Sequence, residues 1–197
     1  MPKKIIKPHH HGNLREALIS AGMQLLEEGG ISALTLRKCA AHAGVSHAAP
    51  AHHFEGLQGL IQAICQRGMS LFASAMQDKI ELVEDSPFPK LYAMCEGYLA
   101  FYIEYPALAN LMFNQKNDNS SQAKEGRKKN AAFNILVSIC APFKHGPLGH
   151  EATEYAVWSL VQGFSHLTIM GQISCSSAAV KVNFTDVLAV LNLEIDQ

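Results

Sequence analysis

Between Thr35 and Leu60 the chain reads T-L-R-K-C-A-A-H-A-G-V-S-H-A-A-P-A-H-H-F-E-G-L-Q-G-L, a run that sets hydroxyl, guanidinium and imidazole groups among small apolar residues. The spacing predicts two short helices joined by a tight turn, the shape that lets one helix enter a DNA groove. Thr35 is placed to cap the first helix through its hydroxyl, with Leu36, Ala40 and Ala43 on the inner face. Gly44 stops that helix, because a left-handed conformation costs glycine almost nothing. Val45 plugs the angle, and Ser46 is placed to cap the second helix, His47 to about His52. Base edges are ordinarily read by Arg, Lys, Asn or Gln. Here the methyl groups of Ala48 and Ala49 suit contact with thymine methyls, and His47 suits a bond to a base or a phosphate. Pro50 has no N–H to donate and should loosen its turn.

A second group lies near the C-terminus. Tyr155, Trp158, Gln162 and His166 recur at helical spacing and form a face that mixes aromatic surface with two hydrogen-bonding groups. Tyr98, Phe101, Tyr102, Met112 and Phe113 can supply an opposite wall. Such a set suits a small-molecule pocket, and it equally suits a plain core with satisfied polar groups. On the neighbouring face, Ser159, Gly163, Leu167 and Met170 are small or apolar enough for close helix pairing, which predicts a dimer seam. No nucleophile–base arrangement, Gly-rich phosphate loop or metal-ligand spacing occurs, so neither catalytic residues nor a cofactor are expected. His42, His47, His52 and His53 lack the ordered i, i+4 face with an acidic partner that a helical metal site shows. His9-His10-His11 can be read as a metal site, a tag remnant or a polar lead-in. Lys3, Lys4 and Lys7 suit an arm along phosphate or a solvated tail.

The elements that must position these groups are all helical. A first helix begins at Asn13, where Glu16 completes a capping box, and Leu14, Leu18, Ala21 and Leu25 form its apolar stripe up to Gly29-Gly30. A long helix from Leu57 to about Val83 carries Leu60, Ile61, Ile64, Met69, Phe72 and Met76. The segment Asp85-Ser86-Pro87-Phe88-Pro89 breaks the chain. Further helices are expected over 90–105, 106–113, up to about 139, 150–172 and 184–195, with a mobile polar loop over 114–130. No period-two pattern persists. The expected fold is all-α with about nine helices: a three-helix head (12–72, helix-turn-helix about 35–54) and a helical body (73–197).

Composition bounds the reading further. The 197 residues are 48% hydrophobic and 17% charged, which excludes a disordered chain. The net charge of −1 hides an asymmetry: residues 1–55 carry six Lys or Arg against four Asp or Glu, and the remainder ten against thirteen. Seven of the ten histidines also fall in the first 55 residues, so the N-terminal end is the one suited to phosphate. The five cysteines sit in apolar helical stretches without C-x-x-C spacing and read as small buried hydrophobes. Met1–Pro8 is basic but no apolar run follows it, so no cleavable leader and a cytoplasmic location are expected. From Tyr155 to Val180 there is no charged residue, yet Gln162, His166, Gln172 and several serines interrupt the stretch. A buried interface helix explains that better than a membrane span.

The T-L-R-x-x-A-x-x-A-G-V-S run, with the closing H-F followed by Leu60, resembles the helix-turn-helix of the tetracycline-repressor (TetR) family of transcriptional regulators. G-Y-L-A-F-Y-I-E-Y-P (97–106) and W-S-L-V-Q-G (158–163) resemble the ligand-binding domain of a TetR subgroup marked by Trp, His and Gly, with Gln162 standing where His is usual. The resemblance implies a homodimer, paired through the last two long helices, that binds a double-stranded operator and releases it for a small-molecule effector. It carries a DNA-facing role onto Thr35, Arg37, Ser46, His47 and His53, with His52 beside them. Two positions depart from the family pattern. Ala51 stands where relatives place a phosphate-binding Tyr, and Leu57 where they place a Lys. That departure leaves an alternative open: a TetR-fold ligand-binding or interaction protein with little specific DNA affinity.

Overall fold

The computed structural model describes residues 14–114, 131–145, 149–173 and 183–196. The expected arm at Lys3–Lys7, the three histidines at 9–11, the cap at Asn13, the polar stretch 115–130 and Cys175 lie outside them. The described residues hold eight α-helices and two short 3-10 turns. The chain falls into two compact units that part between Arg67 and Gly68.

The first unit holds α1 (Leu14–Gly29), a 3-10 turn (Ile31–Ala33), α2 (Leu36–His42), a second 3-10 turn (Ala49–His52) and the start of α3 (Gly56–Ile80). α1 buries Leu18, Ile19, Ala21, Gly22 and Leu26. Leu26 takes the inward position that Leu25 was expected to hold, and Leu25 is half-buried. With Leu34, Cys39, Ala40, Leu60 and Ile64 these residues form the unit's core. The approach of α1 to α3 depends on Gly22, where a Cβ would come within 2.6 Å of the Ile64 side chain.

The second unit holds the rest of α3, then α4 (Pro87–Glu104), α5 (Pro106–Asn114), α6 (Ala131–Cys140), α7 (His150–Ile169) and α8 (Phe184–Ala189). α4 is its centre and packs against α5, α6 and α7, while α7 also meets α6 and α8. Several boundaries differ from the sequence expectation, α3 for one ending at Ile80 rather than about Val83. α4 starts at Pro87 rather than Lys90, because the first turn of a helix has no intrahelical partner for its N–H groups and so tolerates Pro87 and Pro89. The last helix ends at Ala189 rather than about 195. The chain turns there through Asn192, at φ 45°, and brings Ile195 into an antiparallel bridge with Phe143. α7 ends at Ile169, with Gly171 at φ 68° and the N–H of Gln172 bonded back to the Leu167 carbonyl.

Cys39, Cys95 and Cys140 are buried and Cys65 half-buried, all as free thiols. Burial raises the pKa of each, pushing Cys140 up to about 12, so these sulfurs stay protonated and pack as apolar groups. No helix among the described residues is long and apolar enough to cross a membrane.

The crossing of α3 and α4 is set by Gly97. A Cβ there would lie 2.3 Å from the Ala75 carbonyl oxygen and 2.6 Å from the Met76 Cα, both backbone atoms that no rotamer change can move aside. Gly97→Ala is therefore expected to cost about 3 kcal/mol, the upper part of the usual overpacking range, and to lower the thermal midpoint accordingly. A calorimetric scan in which Gly97→Ala melts with wild type would show that the helices are not in contact at this point.

Candidate nucleic-acid interface and internal cavity

The first unit presents its polar residues from the start of α2 and the turn after it. The Thr35 hydroxyl accepts the Lys38 backbone N–H at 3.2 Å, and the Thr35 carbonyl accepts Cys39 N–H at 2.9 Å, which closes the first helical turn. Gly44 adopts φ 69° with its N–H bonded to Ala41, and Val45 donates to the Ala40 carbonyl at 2.9 Å. The inner face of α2 is made by Cys39 and Ala40, while Leu36 and Ala43 are only half-buried. His42 reaches back from α2 to α1 and pairs with Gln24 at 2.7 Å.

The second helix of the motif is shorter than expected. His47 and Ala48 form a turn, and only Ala49–His52 are helical, as one 3-10 turn. The reason is Pro50, which cannot donate the i→i−4 bond that would start an α-helix. The bonds that form instead are i→i−3: Ala49 to Ser46, Ala51 to Ala48 and His53 to Pro50. Ser46 contributes through its carbonyl, and the turn has no side-chain cap, so the expected hydroxyl cap is replaced. Pro50 is buried and Phe54 is 7% exposed, and the Arg15 guanidinium sits 5.5 Å from the Phe54 ring centroid, tying the turn to α1. Thr35, Arg37, Ser46, His47, Ala48, His52 and His53 are all exposed, and Ala49 is half-buried. Ala51 is exposed and Leu57 half-buried at the start of α3.

The second unit encloses a cavity of about 40 Å³. Its wall is drawn from five helices: Met69, Phe72 and Met76 of α3, Met94 and Tyr98 of α4, Phe113 of α5, Ala132, Phe133 and Leu136 of α6, and Trp158 and Val161 of α7. Of the residues expected to bind ligand, Tyr98, Phe113 and Trp158 line it. Tyr102, not itself a lining residue, stacks against two of the lining rings, 5.4 Å from Tyr98 and 5.6 Å from Phe113, which are 6.4 Å from each other. Phe101 is buried against Phe72, Met112 is half-buried beside Gly68, and His166 is exposed and off the wall. Sequence reasoning missed the rest of the wall, three of the chain's seven methionines among it: Met69 and Met76 share the helical register of Phe72 on α3 and read simply as core, and Met94 of α4 was not singled out.

The polar groups in this interior converge. The Tyr98 hydroxyl donates to Oε1 of Gln162, and the Trp158 indole lies beside the same hydroxyl. The Tyr102 hydroxyl lies close to Gln162 and Tyr98 but has no partner in bonding geometry. Burial raises both phenol pKa values, that of Tyr102 to about 12, so both are neutral donors. On α7, Ser159, Leu167 and Met170 are exposed, the last at 61%, and a Cβ on Gly163 would meet nothing within 4 Å.

Comparison with known proteins agrees with this geometry. Residues 18–64 match the family described as bacterial regulatory proteins, tetR family, and residues 91–191 match the tetracyclin repressor-like C-terminal domain. The second description is broader than the Trp-His-Gly subgroup expected from the sequence, and the broader one stands. The chain is 33% identical over 98 residues to the HTH-type transcriptional regulator BetI 2 of Chromohalobacter salexigens, covering 49% of this chain and 45% of that protein. It is 30% identical over 98 residues to BetI of Pseudomonas aeruginosa, covering 49% and 48%. The matched stretch thus spans less than half the length of these curated relatives. Among solved structures, a protein of unknown function from Rhodococcus sp. RHA1 shares the fold at TM-score 0.76 and 24% identity, over 95% of this chain and 96% of that one. The transcriptional regulator FadR from Bacillus subtilis, in complex with stearoyl-CoA, does so at TM-score 0.64 and 17% identity, over 80% and 88%. At those identities the likeness is one of fold. The chain belongs to the tetR family of bacterial regulatory proteins.

Proposed function

We propose that this chain is a DNA-binding transcriptional regulator of the repressor type, without catalytic activity, acting in the cytoplasm as a homodimer on a palindromic operator. The observation that supports this most is the Thr35-capped α2, the Gly44 turn and the exposed groups that follow it, within a stretch matching the family's DNA-binding domain. In this reading Arg37, Ser46, His47, His52 and His53 face phosphate or base edges, and Thr35, Ala48 and Ala49 lie close against the DNA. With so few paired donors, much of the specificity comes from DNA shape and deformability. The second unit binds the effector. A cavity of about 40 Å³ is far below the several hundred Å³ of a filled small-molecule site, so occupancy requires the wall to give. Methionine is the side chain best suited to that, being unbranched and adaptable. Effector and operator then weaken each other's binding by the same factor.

Purified protein is expected to shift the DNA upstream of its own coding sequence, with two protomers per complex, in a gel-shift or anisotropy titration. One set of observations favours the second reading, a TetR-fold ligand-binding protein with little specific DNA affinity. The recognition segment is reduced to one 3-10 turn, Ala51 has no hydroxyl and Leu57 no charge. A folded protein that binds small molecules in the second unit but shifts no DNA would select that reading.

A further inference from the structure

The space enclosed by the second unit, about 40 Å³, exceeds the 10–15 Å³ or so that a water molecule needs. A water or a ligand oxygen placed there also needs hydrogen-bond partners, and the described wall has none to spare. Among the described lining residues only Tyr98 and Trp158 carry polar side-chain atoms. The Tyr98 hydroxyl donates to Gln162, and the Trp158 indole is engaged with that same hydroxyl. The other lining side chains are Met, Phe, Leu, Val and Ala. One side of the space is fixed, because Gly97 lets α4 lie directly on the α3 backbone at Ala75 and Met76. Growth must therefore come from side chains, of which Met69, Met76 and Met94 are the adaptable ones. Ala132 of α6, 4% exposed, is the smallest residue of the described wall, so bulk added there enters the space.

We infer that this space takes a compact hydrocarbon group, with no oxygen or nitrogen on the part that meets these helices, and that Ala132 sets the size of that group. This rests on the reading of the second unit as the effector domain and sharpens it to the class of group the effector buries. Polar or charged atoms elsewhere on the effector lie beyond this wall and are not constrained by it. The buried group packs between the methionine thioethers and the rings of Phe113, Phe133 and Trp158, contacts that suit an aromatic ring in particular. A hydroxyl in its place gives up its bonds to water and receives none from the wall.

The test uses the full-length chain without DNA, so that its outcome is separate from that of operator binding. The probes are toluene and phenol, which carry a methyl and a hydroxyl at the same place on one ring. Binding is followed by NMR of the methyl groups of the seven methionines. Toluene is expected to shift Met69, Met76 and Met94, and to leave Met23 of the first unit and Met170 at the end of α7 unmoved. Phenol should bind at least about tenfold more weakly, in line with an uncompensated hydroxyl. Ala132→Leu, which keeps a good helix former, should fill the space and weaken toluene at least about tenfold. Where Ala132→Leu melts below wild type, the wild-type methyl shifts and the comparison of the two probes decide. The inference is overturned if toluene does not bind, if it shifts Met23 or Met170 and not the three wall methionines, if phenol binds as tightly as toluene, or if folded Ala132→Leu binds toluene as wild type does. Toluene bound at this wall by a protein that shifts no DNA would uphold the site and reject the repressor reading. Any of the overturning results in a protein that does shift DNA would leave that reading standing and remove the inference alone.

Discussion

Gly163→Trp is expected to convert the proposed dimer to a folded monomer and to reduce operator affinity on the order of a hundredfold or more. The first half follows from where Gly163 sits. A Cβ added at this position meets none of the described residues within 4 Å, so a side chain can leave the helix there, and replacing a helix-interior glycine relieves its entropic cost. Ser159 and Leu167 are exposed on the same helix, which carries no Asp, Glu, Lys or Arg from Tyr155 on, and Leu167 and the C-cap residue Met170 together leave apolar surface in water that a second copy would cover. A bulky ring in the middle of such a seam prevents the close approach that small residues allow. The second half follows from avidity: two heads on one operator bind far more tightly than either alone, and a monomer forfeits that gain. Sedimentation velocity and anisotropy on one preparation read both. A variant that stays dimeric and binds DNA normally would place the seam on another surface.

Leu57→Lys is expected to steepen the salt dependence of operator binding by about two units of slope per dimer, from about 0.9 per restored phosphate contact. Leu57 is half-buried at the N-terminal end of α3, next to the buried Leu60 and Ile61, and in the wild type it is a packing residue. A lysine there can extend its stem over the same surface and place its ammonium in solvent, so folding should be little affected. Ala51→Tyr adds a neutral hydroxyl contact and should raise affinity while leaving the slope unchanged. An unchanged slope in Leu57→Lys would mean that the head grips DNA through other groups.

Much of this was legible from local chemistry. The Thr35 cap, the Gly44 turn and the helical stripe of α3 depend on residue type at fixed offsets, and such signals survive without tertiary knowledge. What escaped depended on competition between local terms or on distant partners. Pro50 was expected to loosen its turn, and the structure goes further: of the recognition segment only Ala49–His52 are helical, at 3-10 pitch, because Pro50 cannot donate the i→i−4 bond. The early start of α4 reverses the usual meaning of two prolines, since both lie in the first turn. The shortened last helix is decided by the pairing of Ile195 with Phe143, more than fifty residues away, which no periodicity reveals. In the candidate pocket the aromatic residues were identifiable by type, whereas Met69 and Met76 of α3 and Met94 of α4 become a wall only when the two helices are packed together.

The most direct measurement of the central claim is selection of DNA from a random duplex library by the purified dimer, followed by anisotropy on the enriched sequence at several salt concentrations. The account predicts enrichment of a two-fold-symmetric site with half-sites about one helical turn, roughly 34–36 Å, apart, bound by one dimer with an affinity that falls as salt rises. A folded, dimeric preparation that enriches no sequence over the starting library would contradict it.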